Sequence, residues 1–381
     1  MREYIKLCDV CDFQGGSQPP KDEWSFDFKA GYIRMLQIRD FTQSERVAPE
    51  YIKITKTTRT CEADDILIAR YGASLGKILT GLAGAYNVAI MRTIPNTNIL
   101  EKKYLYFYLK SPVFQGFLLN VGSRAAQAGF NKNDLQDLFI PNITRNEQVE
   151  IVGILERVET VIESRQKELQ KLDDLIKARF IEMFGDPVSD TKNWGQTLLK
   201  EHLESIRYGT STPPIFTDDG YAFIRATNIK NGKIVTNDMK YIPQEEADRL
   251  EKCKLSGGEI IIVRSGVNAG DTCVVTDEYI GQYAGYDMIL VLSSDLHPVF
   301  FNTLINTEYM DKVVKPLTRR AAQPHLNSEQ TQRLPIIEVP FELQEQFADF
   351  VKQVDKSREA VKKSLEKTKQ LYDSLMQEYF G

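Results

Sequence analysis

Residues 33 to 184 recur in the same order from 224 to 380, so the chain is two copies of one unit, each about half its length. Arg34 and Ile38 in IRMLQI answer Arg225 and Ile229 in IRATNI, and Arg70, Gly72 and Gly76 in ILIARYGASLG answer Arg264, Gly266 and Gly270 in IIIVRSGVNAG. RAAQ at Arg124 to Gln127 returns unchanged at Arg320 to Gln323, and NEQ at Asn146 to Gln148 returns as QEQ at Gln344 to Gln346. The offset drifts by only a few residues, which leaves room for small loop insertions. Whatever fold one copy adopts, the other adopts too. A duplicated unit suits a target that itself has two parts.

Each copy opens with short apolar, β-branched runs bounded by Gly, Asp and Asn, which predict strands: GYIRMLQI, DILIAR and NVAIMRTI, then YAFIRATNI, GEIIIVRSG and DMILVLSS. A helical run comes next in each, EKKYLYFYLKSPVFQGFLLNV and HPVFFNTLINTEYMDKVV, and a last strand closes at Pro141 or Pro340. Mixed strands and helices without strict alternation predict α+β globular domains. Beyond those prolines the period changes to three and four. Ile151, Leu155, Val158, Ile162, Leu169, Leu172 and Ile176 form one apolar seam, and Phe347, Val351, Val354, Leu365 and Tyr372 form the other. Arg165 and Arg358 interrupt the seams. The expected division is a globular domain at 1–144, a helix at 145–185, a polar linker at 186–195, a second domain at 196–341 and a second helix at 342–381. Both helices are too long and too narrowly apolar for core helices, and pairing with each other as an antiparallel coiled coil gives a pseudo-twofold repeat.

The net charge of −5 argues against tight DNA binding by the chain alone until the acids are located. The two helices hold more acidic than basic residues, and the globular parts are near neutral. No apolar run reaches membrane length and Arg2, Glu3 and Lys6 occupy the front, so a cytoplasmic protein is expected. Five cysteines without framework spacing point to free thiols; Cys8 and Cys11 lack a second pair for zinc and read as small residues on a strand entering a loop. Three histidines, His202, His297 and His325, leave little for imidazole catalysis.

Enzyme motifs fail when checked. GASLGK at Gly72 to Lys77 has one residue too few for a phosphate loop and Ile78 where magnesium needs a hydroxyl, so a tight turn after a strand is the better reading. SQPPK and STPPI lack the amide and aromatic groups of an adenine methyltransferase motif, but both sit in a Gly/Ser/Pro loop after the first strand of their copy. Side chains able to contact DNA recur at matched places. In the first copy these are Ser17, Gln18, Arg34, Arg70, Ser74, Lys77, Arg124, Gln127, Asn131 and Lys132. In the second they are Thr210, Thr212, Arg225, Arg264, Asn268, Arg319, Arg320, Gln323 and Asn327. Asn131 and Asn327 equally suit helix caps. No catalytic or metal-binding set emerges.

DILIARYGASLGK, RAAQ followed by Asn, NEQ before a long helix, and ARFIEMFGDP followed by NW resemble the specificity subunit of type I restriction-modification systems, over essentially the whole chain. The resemblance implies two target-recognition domains, each addressing half of a split site on double-stranded DNA, and an antiparallel coiled coil that sets their spacing. It implies a non-catalytic, cofactor-free chain that joins two methyltransferase subunits using S-adenosylmethionine and restriction subunits using ATP with magnesium. Two other readings are a coiled-coil scaffold with protein-binding ends and the recognition module of a single-chain restriction enzyme. Unit boundaries at Met1 and Gly381 argue against the last. Asp271 in place of Lys77 makes unlike half-sites the expectation.

Overall fold

The structure, a computed structural model, describes residues 3–122, 129–318 and 324–381. Two compact units form, Met1–Gln166 with Lys363–Gly381, and Lys167–Lys362. Each takes one globular part and half of both long helices, a division that cuts across the five segments read from sequence.

In the first unit β1 (Tyr4–Lys6) pairs antiparallel with β10 (Phe139–Pro141), tying the start of the globular part to its end. Helix α1 (Leu7–Val10) leads into β2 (Cys11–Gly15), an edge of the antiparallel sheet β2-β9-β6-β7, with β6 at Leu67–Ala69, β7 at Ile78–Leu79 and β9 at Ile90–Pro95. Cys8 therefore lies on a helix and only Cys11 on a strand, and burial pushes the Cys11 thiol up to about 12. A second sheet, β4-β3-β8-β5, joins β3 (Tyr32–Leu36), β4 (Glu50–Lys53), β5 (Thr60–Cys61) and β8 (Gly84–Tyr86), with β3 and β8 parallel. Helix α2 (Ile38–Thr42) comes directly after β3. The single helical run expected after β9 becomes α3 (Lys102–Lys110) and α4 (Pro112–Gly122), parted where Pro112 has no N–H to donate.

The second unit repeats this plan. β11 (Gln196–Leu198) pairs with β21 (Pro335–Ile337). The sheet β12-β20-β17-β18 comprises Leu203–Tyr208, Met288–Leu292, Ile260–Ile262 and Thr272–Val274. Its inner strand β17 has partners on both edges, and all three isoleucines are buried, the continuous apolar run a doubly covered strand needs. The partner sheet β16-β13-β19 comprises Lys240–Ile242, Tyr221–Ile224 and Tyr283–Ala284. The hairpin β14 (Ile229–Lys230) and β15 (Lys233–Ile234) is extra. Helices α6 (Gln244–Arg249), α7 (Pro298–Ile305), α8 (Lys315–Thr318) and α9 (Ser328–Gln332) complete the unit, with a π turn at Met310–Val314 entering α8.

Strand register corrects one sequence match. Leu36 faces Tyr86 across the parallel pair in the first unit, and Ile224 faces Ala284 in the second. Tyr51 lies opposite Arg34, and Tyr241 opposite Ala222. Arg34 thus corresponds to Ala222, and Gln37, the N-cap of α2, corresponds to Arg225, the N-cap of the next turn. Matching like letters sets the copies three residues out of step, because two arginines agree while the hydrogen-bond ladder does not.

Helices α5 (Arg145–Phe184) and α10 (Phe341–Phe380) are 40 residues each, roughly 60 Å long. In the first unit Val152 and Leu155, near the start of α5, share a core with Met376 and Phe380, near the end of α10. In the second, Phe180 and Phe184 share one with Phe347 and Val351. Pairing of starts with ends makes the helices antiparallel within each unit. Phe380 packs 5.1 Å from Tyr104, and Phe184 packs 5.0 Å from Phe300 at the matching place. Burying each ring contributes about 1.5–3 kcal/mol. The seam differs in detail from the expected one. Val152 is more buried than Ile151, and Phe180 and Phe184 extend it. Leu155, Ile176, Phe347, Val351, Val354 and Leu365 are buried, while Val158, Ile162, Leu169, Leu172 and Tyr372 are partly covered. Arg358 is 4% exposed in the seam and bonds Asp173 and Asp355, which neutralise its charge there.

The stretch after α5 is a built cap, not the exposed linker expected. Gly185 takes φ 78° and a Cβ there would lie 2.4 Å from Thr191 Oγ1. Lys192 Nζ donates to the Glu182 and Met183 carbonyls, neutralising the helix end, and Trp194 Nε1 donates to the Phe184 carbonyl at 3.0 Å. No helix among the described residues is long and apolar enough to cross a membrane.

Candidate nucleic-acid interface

The two repeated glycine turns close hairpins β6–β7 and β17–β18. Gly72, Gly76, Gly266 and Gly270 all have positive φ, which is why glycine recurs at these places. Arg70 and Arg264 stand where each hairpin's first strand ends; the Arg70 guanidinium is held by hydrogen bonds, whereas that of Arg264 stacks on a ring with its Nε unpartnered among the described residues. Arg70 Nε donates to the Phe130 carbonyl and Nη1 to the Val88 carbonyl, each at 3.1 Å, with the guanidinium 5.0 Å from the Tyr71 ring. Arg264 lies 4.3 Å from the Tyr208 ring, and its amide donates to Asp287 Oδ1 at 3.0 Å. Burial pushes the Asp287 carboxyl up, with Arg264 opposing the shift, and Asp287 Oδ2 finds no hydrogen-bond partner among the described residues. Beside the turns, Ser74 and Asn268 offer carbonyls to Lys77 N and Asp271 N, and the Lys77 side chain is exposed.

The other candidates fall into distinct surroundings. Arg34 Nη2 bonds the buried Asp40 at 2.8 Å, and Arg225 Nη2 bonds Asp238 at 2.9 Å, so both hold their own loops together. Asn131 and Asn327 are helix N-caps, accepting from Asn133 N and Gln330 N. Lys132 pairs with Asp12 on the surface, and that partner holds the Asp12 carboxyl below its usual range. Thr210 and Thr212 form a hydroxyl turn, Thr210 Oγ1 donating to the Thr212 carbonyl at 2.9 Å. Ser17 Oγ accepts from Arg59 N at 3.2 Å beside the exposed Gln18. Arg124, Gln127, Arg319, Arg320 and Gln323 lie outside the described residues.

Two features are not evident from the sequence alone. Gln148 and Gln344, 3% and 2% exposed, each start a long helix by tying it to its globular part. Gln148 Nε2 donates to the Ile99 and Ile143 carbonyls and Oε1 accepts from Glu101 N; Gln344 Nε2 donates to the Asp295 and Val339 carbonyls and Oε1 accepts from His297 N. The match of NEQ to QEQ sets Gln148 against Gln346 and so runs two residues out of step; the hydrogen bonds pair Gln148 with Gln344, each the fourth residue of its helix. The second feature is the β4–β5 loop, where Thr55, Thr57 and Thr58 cluster between exposed Lys53, Lys56 and Arg59. Its counterpart in the second copy has no such composition, so repetition does not mark it.

Catalytic geometry is sparse. The first unit has an open concavity of about 650 Å³ lined by Arg70, Tyr71, Phe117, Asn131 and Asp134 among others, without a nucleophile beside a base. Ser265 Oγ lies 2.9 Å from His325 Nδ1, but the first copy has Tyr71 in place of Ser265 and no carboxylate orients the ring among the described residues. No group of His, Cys, Asp and Glu able to hold a metal occurs among the described residues.

Comparison with known proteins gives a consistent match. A family model described as "Type I restriction modification DNA specificity domain" matches residues 2–174 and 205–370. The type I restriction enzyme MjaVIII specificity subunit of Methanocaldococcus jannaschii is 21% identical over 395 aligned residues, covering 98% of this chain and 91% of its own. Among solved structures, the type I restriction-modification S subunit from M. genitalium aligns with TM-score 0.56 at 15% identity, covering 100% of this chain and 96% of that one. A chain from a type I R-M system studied for complex assembly and conformational transition aligns with TM-score 0.60 at 16% identity, covering 99% and 97%.

Proposed function

Because the chain belongs to the type I restriction-modification DNA specificity family, we propose that each unit reads one half of a split DNA site and that α5 and α10 set the distance between the halves. The observation that carries this reading is the repetition of one two-sheet plan, each copy feeding a 40-residue helix, with unlike surfaces at matched places, exposed Lys53, Lys56 and Arg59 from the end of β4 onward against Glu245, Glu246 and Asp248 after β16. Like scaffolds with unlike surfaces suit two different half-sites. The specificity subunit joins partner subunits through surfaces its own cores leave free. Val149 and Val161 in the first unit, and Leu175 and Ile181 in the second, are exposed apolar residues of α5 suited to docking two methyltransferase subunits. Neither unit carries out covalent chemistry in this reading. S-adenosylmethionine, and ATP with magnesium, belong to partner methyltransferase and restriction subunits.

The test is to express the chain with its methyltransferase partner and map methylated adenines by single-molecule sequencing. Two short motifs separated by unread bases are expected. Inserting one heptad in both helices at their midpoints should lengthen the unread spacer and leave both motifs unchanged. Altered half-site sequences after that insertion would refute the ruler.

A further inference from the structure

Residues 51–61, YIKITKTTRTC, contain three cations and no acid. Lys53, Lys56 and Arg59 are exposed, and no ion pair engages any of them among the described residues. The loop is nonetheless built. Ile54 N donates to the Gly31 carbonyl at 2.9 Å, Arg59 N to Ser17 Oγ at 3.2 Å, and the Arg59 carbonyl accepts from Tyr86 N at 3.1 Å, so both ends are anchored to the sheet and to the SQPP loop. Between the anchors Thr55 N donates to Thr58 Oγ1 at 2.8 Å, and Thr55 Oγ1 lies 3.1 Å from Thr57 Oγ1 and 3.0 Å from Thr58 Oγ1. An anchored turn with clustered hydroxyls, flanked by free ammonium and guanidinium groups, has the chemistry that holds phosphate oxygens without reading a base.

The second unit departs at the same place. Strand β16 matches β4, since each pairs antiparallel with the strand that runs parallel to β8 or β19. Strand β16 leads instead into α6 and a short turn bearing Glu245, Glu246, Asp248 and Glu251, with Arg249 already paired to Glu246 and Lys254 to Glu251. That surface repels phosphate.

We propose that the β4–β5 loop, through Lys53, Lys56, Arg59 and the Thr55–Thr58 hydroxyls, clamps the DNA backbone at the first unit's half-site only, so that the two half-sites are gripped with unequal salt dependence. The proposal rests on the reading that the units bind DNA. Its test uses the complex assembled with methyltransferase subunits and a duplex carrying the motif mapped by methylation, titrated between about 50 and 200 mM salt. The triple variant K53Q/K56Q/R59Q should flatten the plot of log affinity against log salt by about 0.9 per lost contact, up to about 2.7 for all three. The methylated motif should stay the same. The control triple K240Q/K252Q/K254Q should change the slope by less than one contact's worth. An unchanged slope in the first triple overturns the proposal, as does a changed motif, which would mean base reading, or loss of methyltransferase assembly by size exclusion, which would mean a protein surface. If the unaltered complex fails to prefer motif DNA over a scrambled duplex, the parent reading falls first and the clamp with it.

Discussion

Replacing Gln148 by Leu should unfasten the first unit's globular part from α5. The side chain is 3% exposed and makes three bonds, Nε2 to the Ile99 carbonyl at 3.0 Å and the Ile143 carbonyl at 3.1 Å, and Oε1 from Glu101 N at 2.7 Å. Leu fills the volume but leaves two buried carbonyls and one N–H without partners. At about 1–3 kcal/mol for each stranded group, and allowing for carbonyls that relax toward water, the loss is about 3–6 kcal/mol. Hydrogen exchange on the full chain, followed through urea, should show protection lost around Glu101 and β10 while β17 and β20 in the second unit keep theirs. Gln148→Glu sharpens the test, because it retains the acceptor for Glu101 N and loses both donors. The introduced carboxyl, buried against two carbonyl oxygens, takes a pKa above its unfolded value. Its protonated form can donate one bond, so stability recovers as pH falls through that raised pKa and is lost again as pH rises. A loss under about 1 kcal/mol in Gln148→Leu, or equal loss in both units, would refute the argument.

Three more outcomes are expected. Arg358→Leu removes the cation shared by Asp173 and Asp355, leaving Lys233 on Asp355 alone, and because both carboxylates are partly exposed thermal unfolding should show a loss of about 1–3 kcal/mol, whereas Arg358→Leu combined with Asp173→Leu should regain part of it. Gly270→Ala puts a Cβ 2.6 Å from Val314 Cγ1 at φ 100° and should cost about 2–5 kcal/mol by urea unfolding, while Gly266→Ala, at φ 91° with nothing within 4 Å, should cost only the backbone strain of about 1–3 kcal/mol. The buried Asp287 carboxyl has its pKa raised in the folded protein, so its favourable contribution is full below its unfolded pKa and is lost as pH rises through the folded one; Asp287→Asn should flatten that fall in a pH series of melting temperatures.

Much of this architecture is legible in the sequence because its causes are local. The three-and-four spacing of Leu155, Ile176, Phe347, Val351 and Val354 expresses helix period directly, and helix ends at Phe184 and Phe380 are marked by the glycines that come after them. Asn131 and Asn327 can be read as caps because the group each bonds is two or three residues away. What stays hidden depends on partners distant in sequence. The pairing of Arg34 with Ala222 is decided by strands 17 to 60 residues along the chain, and no letter pattern near either residue carries that register. Gln148 is matched by letter to Gln346, two residues out of step, and its three partners come from the α3 entry and the strand exit. The β4–β5 loop is hidden for the opposite reason: attention to what the copies share discounts what only one of them has.

The shared ownership of the long helices has a consequence for cleavage of the backbone. A protease that cut once between Gly185 and Gln196 would produce two pieces, yet neither piece could leave alone. The front piece keeps Phe180 and Phe184, which are part of the core around Phe300 in the back piece, and the back piece keeps Met376 and Phe380, which are part of the core around Tyr104 in the front piece. The nicked chain should run as one species until denaturant opens both cores together, much as two hands clasped at two places part only when both grips fail.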